Sequence, residues 1–234
     1  MLEDRTVHPG ESVGIVQADV FFPKVYNWMT VGLGVSALVA LLTVSSPAMM
    51  QLVFGNRMVF FGLIIAELLL VVTLSGAIQR LSAVAATGCF LVYAALSGVT
   101  LAAIFALYTQ SSIASSFFVT AGTFGAMSVY GHVTRRDLTS WGSFLFMGLI
   151  GFVLASVVNI FLQSALIYWV STYCGILIFV GLTAYDTQKL KALAMGGFAS
   201  REDRHKAAIL GALRLYLDFV NLFLLLLRVL GRRR

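Results

Sequence analysis

Long apolar runs broken by short polar joints make up most of this chain, and no soluble-type alternation of two or three to four residues interrupts them for long. Stretches of about 18 apolar residues or more each predict a membrane-spanning helix. They fall near 26–43, 58–79, 82–107, 112–130, 139–161, 166–186 and 212–230, the last with a possible earlier start near 207. Joints such as Gln79, Arg80 and Leu81 are so short that successive helices must be antiparallel neighbours. The longest joint, 187–211, gathers Lys189, Lys191, Arg201, Glu202, Asp203, Arg204, His205 and Lys206 around Gly196 and Gly197, and reads as an exposed loop at a membrane surface.

Composition agrees with the pattern: 59% of residues are hydrophobic, 11% are charged, and the mean hydropathy is +0.93. Soluble domains rarely look like this. At roughly 20 residues per span, 234 residues accommodate about seven helices and no separate soluble domain. The reading is an all-α integral membrane protein, a seven-transmembrane-helix bundle. It has a polar cytoplasmic tail at 1–24, one membrane domain at 25–231 and a basic end at 232–234. Glu3, Asp4, Arg5, Glu11 and Asp19 leave the first residues without the apolar core of a cleaved signal peptide.

The net charge of +6 does not point to nucleic acid, because the basic residues gather at predicted helix ends, where lipid headgroups and topology account for them. Arg5, Lys24, Arg80, Arg135, Arg136, Lys189, Lys191, Arg201, Arg204 and Lys206 fall on one side and only Arg57 on the other before the C-terminus. That asymmetry predicts a cytoplasmic N-terminus. Arg228 and Arg232 to Arg234 conflict with it, since seven full crossings put them outside; a last segment that re-enters and returns would remove the conflict.

Small residues within the apolar runs, Gly32 with Ser36, Gly122 with Ser128, and Gly148 with Gly151 and Ser156, read as places where helix backbones approach closely. Cys89 and Cys174 have no Cys or His at metal-ligand spacing and read as buried free thiols.

Against this background a few ionisable residues stand out, because a charge at membrane depth costs several kcal/mol unless it is paired, hydrated or protonated. Asp218 sits in Leu215–Tyr216–Leu217–Asp218–Phe219–Val220–Asn221–Leu222–Phe223, and Asp186 closes the sixth predicted helix. With the seventh helix starting near 212 on the same side, Asp218 lies about 9 Å below the interface. The two carboxyls can then meet near the cytoplasmic mouth. Two carboxyls in one poorly hydrated site share a proton, which makes a pH sensor. Without that proton they repel or take a cation, and Ca²⁺ suits convergent carboxylates. The plainer alternatives are Asp186 neutralised by Lys189 or Lys191, and Asp218 paired with Arg214 one helical turn away. Arg80 follows the second helix on the same side as Asp186 and either reaches it or snorkels to the interface. Glu67, in mid-helix, belongs inside the bundle, as a lining of a cation path or as a hydrogen-bonded structural group.

Enzymatic chemistry finds little support. His8, His132 and His205 lie in or near predicted tails and loops, no helix carries a His-Glu-x-x-His motif, and Ser97–Gly98 and Ser75–Gly76 read as packing pairs.

The Ala184–Tyr185–Asp186 ending of the sixth helix and the 215–223 motif of the seventh resemble the Bax-inhibitor family, the transmembrane Bax inhibitor motif proteins. Arg80 followed by Ala95–Leu96–Ser97–Gly98–Val99–Thr100–Leu101 is similar to that family's second-to-third-helix region. The resemblance implies a seven-helix bundle with the last helix central. It implies a non-enzymatic, cofactor-free, pH-sensitive Ca²⁺ leak of the kind described for bacterial members, with Asp186 and Asp218 as sensor, gate and Ca²⁺ ligands, and Arg80 as latch. Eukaryotic members are described as suppressors of cell death that influence calcium stores. Arg214 departs from the expected pattern and is a candidate modulator, as is Glu67. The expected partners are the bilayer, Ca²⁺ and H⁺, and the expected location is a bacterial inner membrane. The alternative is a non-conducting protein that restrains another membrane protein, such as a protease or channel.

Overall fold

The computed structural model describes residues 9–234, with side chains described from Val20 onward. Residues 1–8 of the expected tail lie outside the described residues; from Pro9 on, that segment is the start of a helix. Among the described residues eight helices follow one another: α1 (Pro9–Val44), α2 (Pro47–Phe54), α3 (Arg57–Ala77), α4 (Ala83–Leu107), α5 (Gln110–Val133), α6 (Thr139–Leu162), α7 (Ala165–Met195) and α8 (Arg201–Leu230). All but α2 are long and apolar enough to cross a membrane.

Local chemistry sets the helix boundaries. Ser82 and Ser200 cap α4 and α8 by accepting from the backbone N–H of Ala85 and Asp203, at 3.2 Å and 3.0 Å, which satisfies donors that a helix start leaves free. Pro47 opens α2 after the Ser46 cap, the position where its missing N–H is harmless.

The expected loop at 187–211 is replaced by helix. α7 runs on to Met195 and α8 begins at Arg201, leaving a tight turn in which Gly197 takes a φ of 78°, a conformation suited to glycine. The charged residues of that stretch therefore sit on helical extensions of the apolar spans. Gln188 accepts from the Leu138 N–H at 2.8 Å and donates to the Arg136 carbonyl at 2.8 Å, while Lys191 donates to the His132 carbonyl at 2.7 Å. These bonds fasten the end of α7 to the α5–α6 turn.

α8 is the most buried span: 61% of its apolar window is buried, against 33% or less for the others. It packs against α1, α3, α4, α5 and α7, whereas α6 packs chiefly on α7. α8 is also continuous, which rules out the re-entrant alternative. Near its start Glu202 accepts from the N–H of Ala83, at the beginning of α4. Beyond its end the Arg232 carbonyl and Arg234 N–H bond to Thr109 and Leu107, at the end of α4. A helix that turned back would not reach both ends of α4. The terminal arginines thus lie at the face opposite the α7–α8 turn, where Arg228 also donates to Thr172 Oγ1 at 3.2 Å and stacks over Tyr168.

Not every small residue serves close packing. A Cβ on Gly32 would meet Phe90 and Tyr216, and one on Gly98 would lie 2.6 Å from the Ser36 carbonyl oxygen, but Gly122 and Gly151 face open space. Cys174 is exposed on the bundle rather than buried, and Cys89 is half-buried; both are free thiols.

Candidate functional site

Arg214, Leu217, Asp218 and Asn221 recur at three- and four-residue spacing, which places them on one stripe of α8. Phe179, Leu182, Asp186 and Lys189 do the same on α7. Because α6 leans on α7 and stands off α8, these two stripes face a cavity of about 620 Å³, closed on its third side by α6 residues including Gly142, Ser143 and Phe146. Gly142 lets α6 approach the ring of Tyr185 so closely that a Cβ there would overlap it.

Asp186 and Asp218 come together in this cavity, their carboxyl groups within hydrogen-bonding reach of each other. Asp218 is 5% exposed and Asp186 half-buried. The depth differs from the expectation: α8 starts at Arg201, so Asp218 lies past the midpoint of its helix, and Asp186 lies well before the end of α7. Asp218 Oδ2 is buried and has no hydrogen-bond partner among the described residues.

The plainer pairings are not formed. Among the described residues Lys206 with Asp203, at 3.7 Å, is the one ion pair. Lys191 is engaged by the His132 carbonyl, Lys189 lies over the Tyr185 ring at 5.6 Å, and Arg214 acts on both aspartates electrostatically without an ion-pair contact. Arg80 is exposed in the α3–α4 turn and lines neither this cavity nor the adjoining vestibule.

Glu67 occupies a second polar centre on another side of α8. Thr100 Oγ1 donates to Glu67 Oε1 at 3.0 Å and lies 2.9 Å from the Ser97 carbonyl. The Tyr216 hydroxyl donates to Ser97 Oγ at 3.0 Å and shares a 2.7 Å hydrogen bond with Ser36 Oγ. Tyr216 is fully buried and, two residues before Asp218, points roughly 200° away around the helix. Removing its hydroxyl in Tyr216→Phe is expected to lower the thermal unfolding midpoint by about 2–4 °C. Interhelical hydrogen bonds in membranes average about 0.6 kcal/mol, and about 1 kcal/mol corresponds to that shift in a chain of this size. Differential scanning fluorimetry in detergent measures it.

Two features were missed by the sequence reading. Asn221 lines the acid cavity three residues after Asp218, a spacing that was available. The bonds from Tyr216 to Ser36 and Ser97 depend on which helices pair, which no local signal gives.

A profile of the family described as "Inhibitor of apoptosis-promoting Bax1" matches residues 18–234. The chain belongs to the Bax inhibitor family. Among its relatives, the inner membrane protein YbhL of Escherichia coli K12 is 56% identical over 217 residues, 92% of each chain. A protein of Borreliella burgdorferi is 44% identical over 224 residues, 96% of this chain and 97% of its own. One from Deinococcus radiodurans is 42% identical over 213 residues, 91% and 90% respectively. This Bax inhibitor family member is therefore an all-α membrane protein, and a near relative carries an inner-membrane name.

Proposed function

We propose that this protein is a proton-responsive cation leak that passes Ca²⁺ across a bacterial inner membrane, with its N-terminus in the cytoplasm and Asp186 and Asp218 as sensor and gate. It needs no cofactor and catalyses no reaction. The observation that carries the reading is the meeting of two carboxyls from successive spans in one cavity, one of them almost wholly buried with an oxygen left unpartnered.

Two carboxylates in contact cannot both stay ionised without a large electrostatic penalty, so the pair holds one proton between them and titrates as a unit. With the proton present, a carboxyl–carboxylate hydrogen bond ties α7 to α8. Without it the two charges repel or admit a cation. Ca²⁺ takes six to eight oxygens, more than two carboxyls supply, which suits a passing ion. Arg214 and Lys189 modulate the pair from the cytoplasmic end, and the hydrogen-bonded Glu67 does so from another side of α8. Arg80, one residue beyond vestibule-lining Gln79, is placed to latch the closed bundle only if its turn moves inward.

The test is Ca²⁺ entry into liposomes containing the purified protein alone, followed with an entrapped dye from about pH 5 to about pH 8, a range in which shifted carboxyls titrate. A pH-dependent leak without any partner supports the reading. Silence at every pH would instead leave the non-conducting role, restraint of another membrane protein.

A further inference from the structure

Beside the acid cavity, on its cytoplasmic side in the proposed topology, lies a second cavity of about 490 Å³ between the α3–α4 turn and the facing extensions of α7 and α8. Lys189, Lys206 and Arg214 line it, with Gln79 and Asp203 as its other polar side chains. Ile78, Leu193, Phe198 and Leu210 make apolar walls. Lys189 and Arg214 line both cavities and so form the partition between them.

We propose that this vestibule binds a phosphate group, carried by an anionic lipid headgroup or present as free phosphate, through Lys189, Lys206 and Arg214. The Lys206 side chain is only 12% exposed, and a cation withdrawn from water requires a compensating charge. Asp203 supplies one, at 3.7 Å. Neither Lys189 nor Arg214 has a hydrogen bond or ion pair with a described residue. The count across both cavities is three cations against Asp203 and the Asp186–Asp218 pair. On the reading proposed above, that pair carries a single charge while it shares its proton, which leaves one positive charge unbalanced. A phosphate group, free or esterified, fills that place, with acceptor oxygens for the guanidinium and both ammonium groups. The bound anion draws Arg214 and Lys189 toward the vestibule and away from the aspartates, so occupancy and the state of the gate are coupled, and the coupling is reciprocal.

The experiment reads binding directly. The full-length protein in detergent is titrated with inorganic phosphate against chloride at constant ionic strength while its unfolding midpoint is followed. In parallel, phosphatidylglycerol and phosphatidylcholine retained after reconstitution and re-extraction are quantified per protein. The expected result is a saturable rise of the midpoint with phosphate, preferential retention of phosphatidylglycerol, or both. Half-saturation should move tenfold or more, or the retained lipid be lost, in Lys189→Gln/Lys206→Gln, with recovery in Lys189→Arg/Lys206→Arg. A response to the lipid alone assigns the headgroup as source, and a response to phosphate alone assigns the free anion. Equal responses in the wild type and the glutamine variant, equal effects of chloride and phosphate, or no response to either probe would overturn the site. Neither readout depends on conduction. A protein that binds phosphate but does not leak refutes the function above and keeps the site, whereas a pH-gated leak without binding does the reverse.

Discussion

Asp186→Asn/Asp218→Asn is expected to give a Ca²⁺ leak that stays flat from about pH 5 to about pH 8, where the wild-type leak changes by up to about tenfold per pH unit, the limit for a gate whose two states differ by one bound proton. Asp218 is almost wholly buried and its neighbour is Asp186, with no ion pair to Arg214, Lys189 or Lys191 among the described residues. Asparagine keeps the size of the protonated acid but cannot lose its proton, so the double variant holds α7 and α8 in the arrangement of the protonated pair at every pH. Each single variant keeps one carboxylate, which accepts from the new amide, and should also be low and nearly pH-independent. Folding should survive, since a neutral amide is easier to bury than a carboxylate. Liposome flux, with the circular dichroism of each variant as a folding control, makes the measurement. A double variant with the wild-type pH profile would remove the aspartates from the gate.

Much of the architecture was legible because a bilayer imposes one strong rule on a sequence. The apolar windows located all seven spans, and five of their seven starts and six of their seven ends agree with the helix bounds to within a turn. What they missed is helix that is not apolar. The extensions of α7 past Asp186 and of α8 before 212 carry Lys, Arg, Glu and His residues, so a hydropathy window stops where the chain leaves the lipid although the helix does not. Ser200, with Asp203 three residues on, was the readable sign of the real start of α8. Helix α2 is not legible in the apolar windows because its 8 residues, opened by Pro47, are too few to span a bilayer.

The candidate site divides in the same way. Asp186 and Asp218 were visible one at a time, since an acid in an apolar run requires an explanation whatever its neighbours are. Arg214 was visible as a neighbour by its four-residue spacing, yet the intrahelical ion pair that spacing favours is not formed, and Asp218 meets Asp186 of α7 instead. The cavity was not visible, because it exists only where α6 leans on α7 and leaves α8 uncovered. The Tyr216 bonds were hidden for the same reason, and Arg80 shows the converse: a sequence position suited to a contact does not bring the side chain to it.

Gly131→Leu should lower the unfolding midpoint by about 5–10 °C, while Gly122→Leu in the same helix should leave it unchanged or raise it. A Cβ on Gly131 would overlap the carbonyl of Ala184, with the Ala184 carbonyl carbon and Cα both at 2.9 Å. Those are backbone atoms of a neighbouring helix, and unlike a side chain they cannot rotate aside. Overpacking typically costs about 1–3 kcal/mol, and in a chain of this length each kcal/mol moves the midpoint by about 2–4 °C. Gly122 has no atom within 4 Å of a built Cβ, and replacing a helical glycine there recovers up to about 1 kcal/mol of helix propensity. The consequence reaches the acid pair, because Ala184 lies two residues before Asp186 and the bonds from Gln188 and Lys191 to the α5–α6 turn prevent α7 from simply sliding away. Gly131→Leu should therefore also alter the pH response of the leak, and Gly122→Leu should not. Equal midpoints in the two variants would show that α5 and α7 do not meet through Gly131.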